Sequence, residues 1–461
     1  ESFAEHVGRP LTSVPDPAGD CHENWAEHFK DPLRESLAKL GVSITEISQT
    51  QMYTSGAYTD QIVLAMRRRA EIGAIIRQYQ TRQNGTDDEA PTDYHPFRPY
   101  CAMCGRDETT VTAFNDDNAE ISYTCRCGAD IGPMPIGQVE GKLVWKVDWP
   151  MRWAYERVTF EPAGADHASP GSSYSVGRHL VEDIFGGTMP LHFGYSFVGT
   201  QGAAKMSGSA GGAPTPHDAL EIFEAPLVRW LYSRRRPEQS ITLAFGAEVG
   251  RVYDEWDALT RKVSDGTAAP AALVIYARAS ATADGELPQT PRPMPFRTLA
   301  SISDITAGDE EQELRILRDL TPEAPITDLS EVRPRLDRAR AWALGYAPDE
   351  ARTTVREEHE ILTNLTEQDR HAIKLLLDQM AGQWSLEGLT TLVYGIPKLI
   401  RGLPIDTPPK PELKAAQRAW FIMLYRLLVG KDTGPRLPTL LLAVGKEKVR
   451  TLLGADDSSR I

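Results

Sequence analysis

The sequence predicts an α/β region followed by an all-α region, and three observations carry that reading. A strand-like run, a Gly/Ser-rich loop and a helix start follow one another between Tyr195 and Pro216. That is the order in which α/β folds build a phosphate site at the carboxyl edge of a sheet. Four cysteines cluster between Cys101 and Cys127 while Cys21 stands alone, a distribution that suits metal ligation better than a disulfide framework. Past about residue 240 the strand signals fade and apolar residues recur at helical spacing.

The elements follow in order. Leu33, Leu37 and Leu40 repeat like a helix after Pro32, Gly41 stops it, and "VSITEIS" then alternates like a short strand. A second helix is expected through "YTDQIVLAMRRRAEIGAIIRQY", burying Ile62, Met66, Ile72, Ile75 and Ile76. Residues 81–95 are polar and aperiodic, as in a linker or surface loop. Between the cysteine pairs, "TVTAF" and "AEISYTC" read as strands joined by a turn at Asn115–Asn118. "KLVWKVDWP" alternates at Leu143, Trp145 and Val147, which predicts a strand ended by Pro150. "YSFVGT" is a further strand, and Thr215 with Pro216 reads as an N-cap and first helical turn. In the last third, Ile373, Leu376, Leu377 and Met380 share one helical face, as do Trp420, Leu424, Leu427 and Leu428, then Leu441, Val444, Leu452 and Leu453.

A length of 461 residues suggests about three domains. No run approaches the roughly 18–20 apolar residues of a membrane span, and no signal peptide is visible, so a cytoplasmic location without membrane attachment is expected. Because the chain starts at Glu1 rather than Met, it reads as a fragment of a longer protein. A net charge of −14 argues against sequence-blind polyanion binding by the whole surface. Arg67–Arg69 and Arg234–Arg236 read as solvated helix ends.

Four constellations carry chemistry. Cys101-x-x-Cys104 and Cys125-x-Cys127, presented by a hairpin, predict a zinc ribbon, because four thiolates complete tetrahedral Zn²⁺ and leave no open position. In "AKMSGSAGGAPTP", backbone amides and serine hydroxyls could line phosphate oxygens while Lys205 neutralises their charge. A flexible surface loop is the plainer alternative. Asp148 lies among Trp145, Trp149 and Trp153, and a carboxylate beside aromatics is a way to hold an alkyl ammonium; core packing is the alternative, preferred for Trp153. Asp166 and His167 lie in a loop of small residues that a polar ligand can approach.

Together with "GRPLTSVPDPAG", "NWAEHF", "ISQTQMYTSGAY", "LVRWLYSRRRP" and "GKDTGPRLPTLLLAVG", these stretches make the chain resemble the class I lysyl-tRNA synthetases, particularly their actinobacterial type. The resemblance implies a Rossmann-type catalytic domain over 1–240, incomplete at its amino end, with a zinc ribbon inserted at 96–135. It further implies a stem-contact region at 241–330 and a helical-cage anticodon-binding domain at 331–461. The implied reaction is ATP-dependent activation of L-lysine, with Mg²⁺, and its transfer to tRNA(Lys). By resemblance, Trp145, Asp148, His167 and Tyr195 belong to the lysine pocket, and Asp166, His167, Lys205, Ser207 and Ser209 to the ATP side, with Lys205 catalytic. Two departures stand out: the family's His-x-Gly-His motif lies upstream of the part matched by Glu1, and Gly208 and Ala210 leave the loop with one lysine. The competing expectation is a non-catalytic tRNA- or amino-acid-binding protein derived from such an enzyme.

Overall fold

In the computed structural model, helix α1 (Trp25–Lys39) starts at Asn24, whose side chain accepts the Glu27 amide at 3.1 Å. The structure describes residues 3–79, 94–167, 172–200, 213–349, 352–358, 365–408 and 410–454. The predicted linker at 81–95 lies almost wholly outside them. The chain divides into two units, residues 1–209 with 235–242, and residues 210–234 with 243–461. Residues 210–234, grouped by sequence with the catalytic region, thus pack with the second unit.

In the first unit, α1 begins well before Pro32 and keeps that proline inside, and Leu33 is exposed rather than core-facing. "VSITEIS" forms no strand: residues 42–48 are irregular, with Ile44 and Ile47 exposed. Alternation alone cannot hold a strand that finds no partner for its backbone. Helices α2 (Gln49–Thr54), α3 (Thr59–Arg67) and α4 (Arg69–Tyr79) follow. The expected single long helix is therefore broken at Arg68, though Ile62, Met66, Ile72 and Ile76 are buried as expected. Arg69 pairs with Asp116 at 2.8 Å and the exposed Arg67 donates to the Asp116 carbonyl at 3.2 Å, so two of the three arginines tie α3 and α4 to a hairpin turn, while Arg68 pairs with Glu71.

Strand β1 (Phe97–Pro99) pairs later with β5 (Gly141–Leu143). Between them β2 (Thr109–Asn115), β3 (Glu120–Cys125) and β4 (Asp130–Pro135) form a three-stranded antiparallel ribbon. The two predicted strands are present, and β4 is additional; its Gly-Pro interruption reads as a turn in sequence. The expected strand through "KLVWKVDWP" stops at Leu143, and Val144 turns the chain into helix α5 (Trp145–Tyr155) with Pro150 inside. Val147 and Met151 one turn apart, and Trp149 and Trp153 likewise, bury their side chains on this helix. Three alternating residues could not distinguish strand from buried helix. Proline in a helix interior costs about 3 kcal/mol, which burial of the surrounding apolar side chains offsets.

Strand β6 (Ala163–Gly164), α6 (Ser173–His179), β7 (Gly194–Tyr195) and β8 (Val198–Thr200) complete this part. β6 and β7 pair in parallel, Gly164 opposite Tyr195. Among the described residues the sheets have only two or three strands, so no extended parallel sheet is present there.

The second unit is helical. α7 (Pro216–Ile222) opens with the predicted cap: Thr215 and Asp218 form a capping box ahead of Pro216. α8 (Ala225–Ser233), α9 (Val249–Ser264), α10 (Pro270–Ser280), α11 (Phe296–Thr306), α12 (Glu310–Leu320) and α13 (Arg335–Ala341) follow, with one short hairpin at Ala281–Glu286. α14 (Glu367–Met380), α15 (Leu386–Leu399), α16 (Pro411–Val429), α17 (Leu437–Val444) and α18 (Lys446–Leu452) end it. The predicted faces of α14 and α16 are buried, and Gly445 splits the last expected helix in two. No helix among the described residues is long and apolar enough to cross a membrane.

Candidate functional site

A cavity of about 840 Å³ opens beside the start of α5 in the first unit. Trp145 and Asp148 line it, with Tyr53 from α2, Asn24 and Glu27 from α1, and Lys142 from β5. Its wall carries five carboxylates, Glu23, Glu27, Asp107, Glu140 and Asp148, against two cations, Arg98 and Lys142. The field inside therefore favours a cationic ligand.

Asp148 is held from two sides. The Tyr53 hydroxyl donates to Oδ1, and the Arg152 guanidinium, one helical turn on, pairs with Oδ2 at 2.8 Å. Burial pushes the Asp148 carboxyl up from its ordinary value, with Arg152 and Tyr53 opposing. Burial also raises the Tyr53 phenol, reinforced by the Asp148 charge. The Tyr53 oxygen in turn accepts the Leu143 amide at 3.1 Å, which ties α2 to the end of β5. Arg152 also lies 5.6 Å from the Trp145 ring centre. The protein's own guanidinium thus occupies the carboxylate-plus-aromatic arrangement that the sequence reading assigns to a ligand ammonium.

Trp145 stacks on Trp149 with centroids 4.9 Å apart, and the His167 ring meets Trp149 edge-on at 5.4 Å. Trp149 is oriented by its indole N–H, which donates to Glu161 at 3.1 Å. Trp153 is buried, as its core reading requires. Asp166 and His167 form the turn after β6, and Tyr195 sits opposite Gly164 in the adjoining parallel pair. The structure therefore brings Trp145, Asp148 and His167 around one helix, with Tyr195 on the strand neighbouring the Asp166–His167 turn. Lys205, Ser207 and Ser209 lie outside the described residues. Sequence reasoning missed Tyr53 and Arg152; had α5 been read as a helix, Arg152 four residues after Asp148 would have been the signal.

Among the described residues two clusters can hold a metal. The sulfurs of Cys101 and Cys127 are 3.8 Å apart, and those of Cys104 and Cys125 are 3.7 Å apart. A tetrahedron with metal–sulfur bonds of about 2.3 Å has an edge of about 3.8 Å, so the four thiols fit Zn²⁺. The second cluster was not anticipated: Cys21 is not alone but joins Asp16, His22 and His28, with all four ligand atoms within 4.8 Å of one another. His28 Nδ1 lies 3.0 Å from Asp16 Oδ1 and 3.3 Å from the Cys21 sulfur, and His22 Nδ1 lies 3.0 Å from that sulfur. The far nitrogen of His22 meets Asp31 at 3.3 Å, the outer carboxylate that commonly orients a metal-bound imidazole. This set also suits a closed tetrahedral ion.

Comparison with known proteins now adds to the geometry. The model of the family described as tRNA synthetases class I (K) matches residues 1–278. A lysine–tRNA ligase of Streptomyces coelicolor is 54% identical, the match covering 98% of this chain and 83% of that protein. Lysine–tRNA ligases of Thermococcus kodakarensis and Pyrococcus horikoshii are 32% and 31% identical, each match covering 97% of this chain and 83% of theirs. With a family model matching more than half of it and a relative this similar along nearly its whole length, the chain belongs to the class I lysyl-tRNA synthetases.

Proposed function

We infer that the protein is a lysine–tRNA ligase, which activates L-lysine with ATP and transfers the lysyl group to tRNA(Lys). The observation that carries this is the acidic cavity beside α5, where Asp148 and Trp145 stand on the wall, in a chain of this family. Lysine brings two ammonium groups, and an excess of carboxylates recognises them. The same excess repels a triphosphate, so ATP belongs on the other side of the reacting carboxylate. Asp166, His167 and the loop bearing Lys205, Ser207 and Ser209 supply that side in our reading.

In the first step a lysine carboxylate oxygen attacks the α-phosphorus of ATP, and the bond to pyrophosphate breaks. In the second, a hydroxyl of the terminal tRNA ribose attacks the lysyl carbonyl and AMP leaves. The protein's task in the first step is to align the reactants and neutralise charge on the leaving phosphates. Mg²⁺ accompanies ATP and shares that neutralisation. Asp148 takes the lysine side-chain ammonium, sharing its carboxylate with Arg152, while Trp145, His167 and Tyr195 enclose the alkyl chain. We read the parallel β6/β7 pair as part of the Rossmann-type nucleotide sheet, and the Cys101, Cys104, Cys125 and Cys127 cluster as a structural zinc site. The helices after residue 240 serve as stem-contact and anticodon-binding regions.

Lysine-dependent ATP–pyrophosphate exchange, measured with and without tRNA, tests the reading. Exchange that requires lysine supports it, and Lys205→Ala should slow adenylate formation by about 100- to 1,000-fold. Binding of lysine and tRNA with no exchange would favour the non-catalytic alternative.

A further inference from the structure

The acidic cavity beside α5 attracts any cationic amino acid, and its carboxylates cannot tell lysine from arginine, because both side chains carry one positive charge on a flexible stem. The choice between them has to come from shape. An ammonium is compact and makes separate hydrogen bonds from three rotatable donors, whereas a guanidinium is planar, grips both oxygens of a carboxylate through parallel N–H groups and stacks flat on aromatic rings. The chain's own groups already stand at both of those seats. Arg152 donates from a terminal nitrogen to Asp148 Oδ2 at 2.8 Å, and its guanidinium carbon lies 5.6 Å from the centre of the Trp145 ring. Trp149 stacks on the same ring at 4.9 Å. The Tyr53 hydroxyl takes Asp148 Oδ1, and the Leu143 amide fixes the Tyr53 oxygen at 3.1 Å. Asp148 cannot turn to present two free oxygens without losing one of these donors. Each oxygen still keeps lone-pair capacity for a single donor, which is what an ammonium needs.

We propose that Arg152 is a specificity-determining residue that rejects arginine: its guanidinium fills the planar seat between Asp148 and Trp145, so that a ligand ammonium can share the carboxylate and a ligand guanidinium cannot. The inference rests on the reading of this cavity as the lysine site and names how that site excludes the other amino acid of like charge. Selection by an occupying group of the same chemistry is a repulsive device, since it acts against the competitor rather than for the substrate. Stability alone does not account for an arginine at this place. Its Nε is buried without an acceptor among the described residues, whereas an apolar side chain of similar length would leave no unmet donor. The enclosed Arg335 shows the contrast, with Glu224, Asp257 and the Met294 carbonyl as partners.

The test is equilibrium titration of the full chain with L-lysine and with L-arginine, followed by tryptophan emission. The wild type should bind lysine roughly 100-fold more tightly than arginine, because the guanidinium is denied its charge-assisted contacts. Arg152→Met clears the Oδ2 lone pair and the Trp145 ring, so it should lower that ratio by roughly 10-fold or more, chiefly by tightening arginine. Arg152→Lys keeps a cation for Asp148 but has no plane, and it should lower the ratio as well. That second variant preserves the ion pair, so it also carries the test if the methionine variant does not fold. Selection of lysine that survives in the folded variants, or a wild type that binds both amino acids equally, overturns the inference and leaves the lysine reading standing. A wild type that binds neither amino acid removes the lysine reading, and the inference with it.

Discussion

Arg152 and Arg335 each hold a buried carboxylate, Asp148 at 2.8 Å and Glu224 at 2.7 Å, yet the two clusters are finished differently. Arg335 in the helical unit is enclosed: it donates to Glu224, to Asp257 and to the Met294 carbonyl, while Thr290 donates to the second Glu224 oxygen. The cluster joins the start of α8, α9, the segment before α11 and the start of α13. Among the described residues Arg152 has one carboxylate partner and its Nε is buried without an acceptor, and Asp148 faces the acidic cavity. A buried ion pair recovers its desolvation cost only when its hydrogen bonds are complete. The closed cluster is therefore architecture, and the incomplete one is a place where a ligand charge can be added.

The comparison can be broken at several points. Arg335→Met should have the largest effect, destabilising the helical unit by about 3–5 kcal/mol because Glu224 and Asp257 lose their shared cation. Urea unfolding would show it, and a near-neutral midpoint would mean the cluster is not architectural. Asp148→Asn should leave the fold intact and weaken lysine binding by roughly 10- to 100-fold, the worth of one charge-assisted contact, with ATP binding nearly unchanged. Calorimetric titration with lysine decides this, and unaltered affinity would place Asp148 in the architectural class. Tyr53→Phe removes one donor to Asp148 and the acceptor of the Leu143 amide, so we expect about 1–2 kcal/mol of lost stability and a smaller fall in lysine affinity than for Asp148→Asn.

A pH titration sharpens the same contrast. Since burial raises the folded-state pKa of Asp148, its neutral form is favoured in the folded chain, and its contribution to stability is greatest at low pH and is lost as pH rises through that raised value. Lysine binding runs the other way. Affinity should fall as pH is lowered, beginning above the usual aspartate range, and Asp148→Asn should lack this component; identical pH profiles would refute the charge role. The smallest effect on lysine binding is expected from Cys104→Ser. Metal content should fall from about two ions per chain to about one, with affinity for lysine retained. Elemental analysis checks the count, and a metal-free wild type would reject the zinc assignment of the four-cysteine cluster and leave the Asp16, Cys21, His22 and His28 group without an ion.

Legibility in the sequence followed how local each feature was. The cysteine pairs, the hairpin between them and the Thr215 capping box depend on neighbours in the chain, and the structure contains all three. The faces of α14 and α16 were readable because each repeats over several turns. By contrast, "KLVWKVDWP" has too few alternating positions to separate strand from helix, and "VSITEIS" alternates with no strand beside it. Cys21 looked isolated because Asp16, His22 and His28 converge on it through a loop and the first turn of α1.

Spacing and residue type by themselves determined the four-thiolate cluster and the helical character of the last third, whereas the grouping of Trp145, Asp148 and His167 followed only from the family resemblance. Only the tertiary structure decided the state of Asp148. Tyr53 is 95 residues away in sequence, and Arg152 comes into reach only because α5 is a helix. A carboxylate's charge depends on every donor and dipole within a few ångströms, and packing rather than chain order chooses those neighbours.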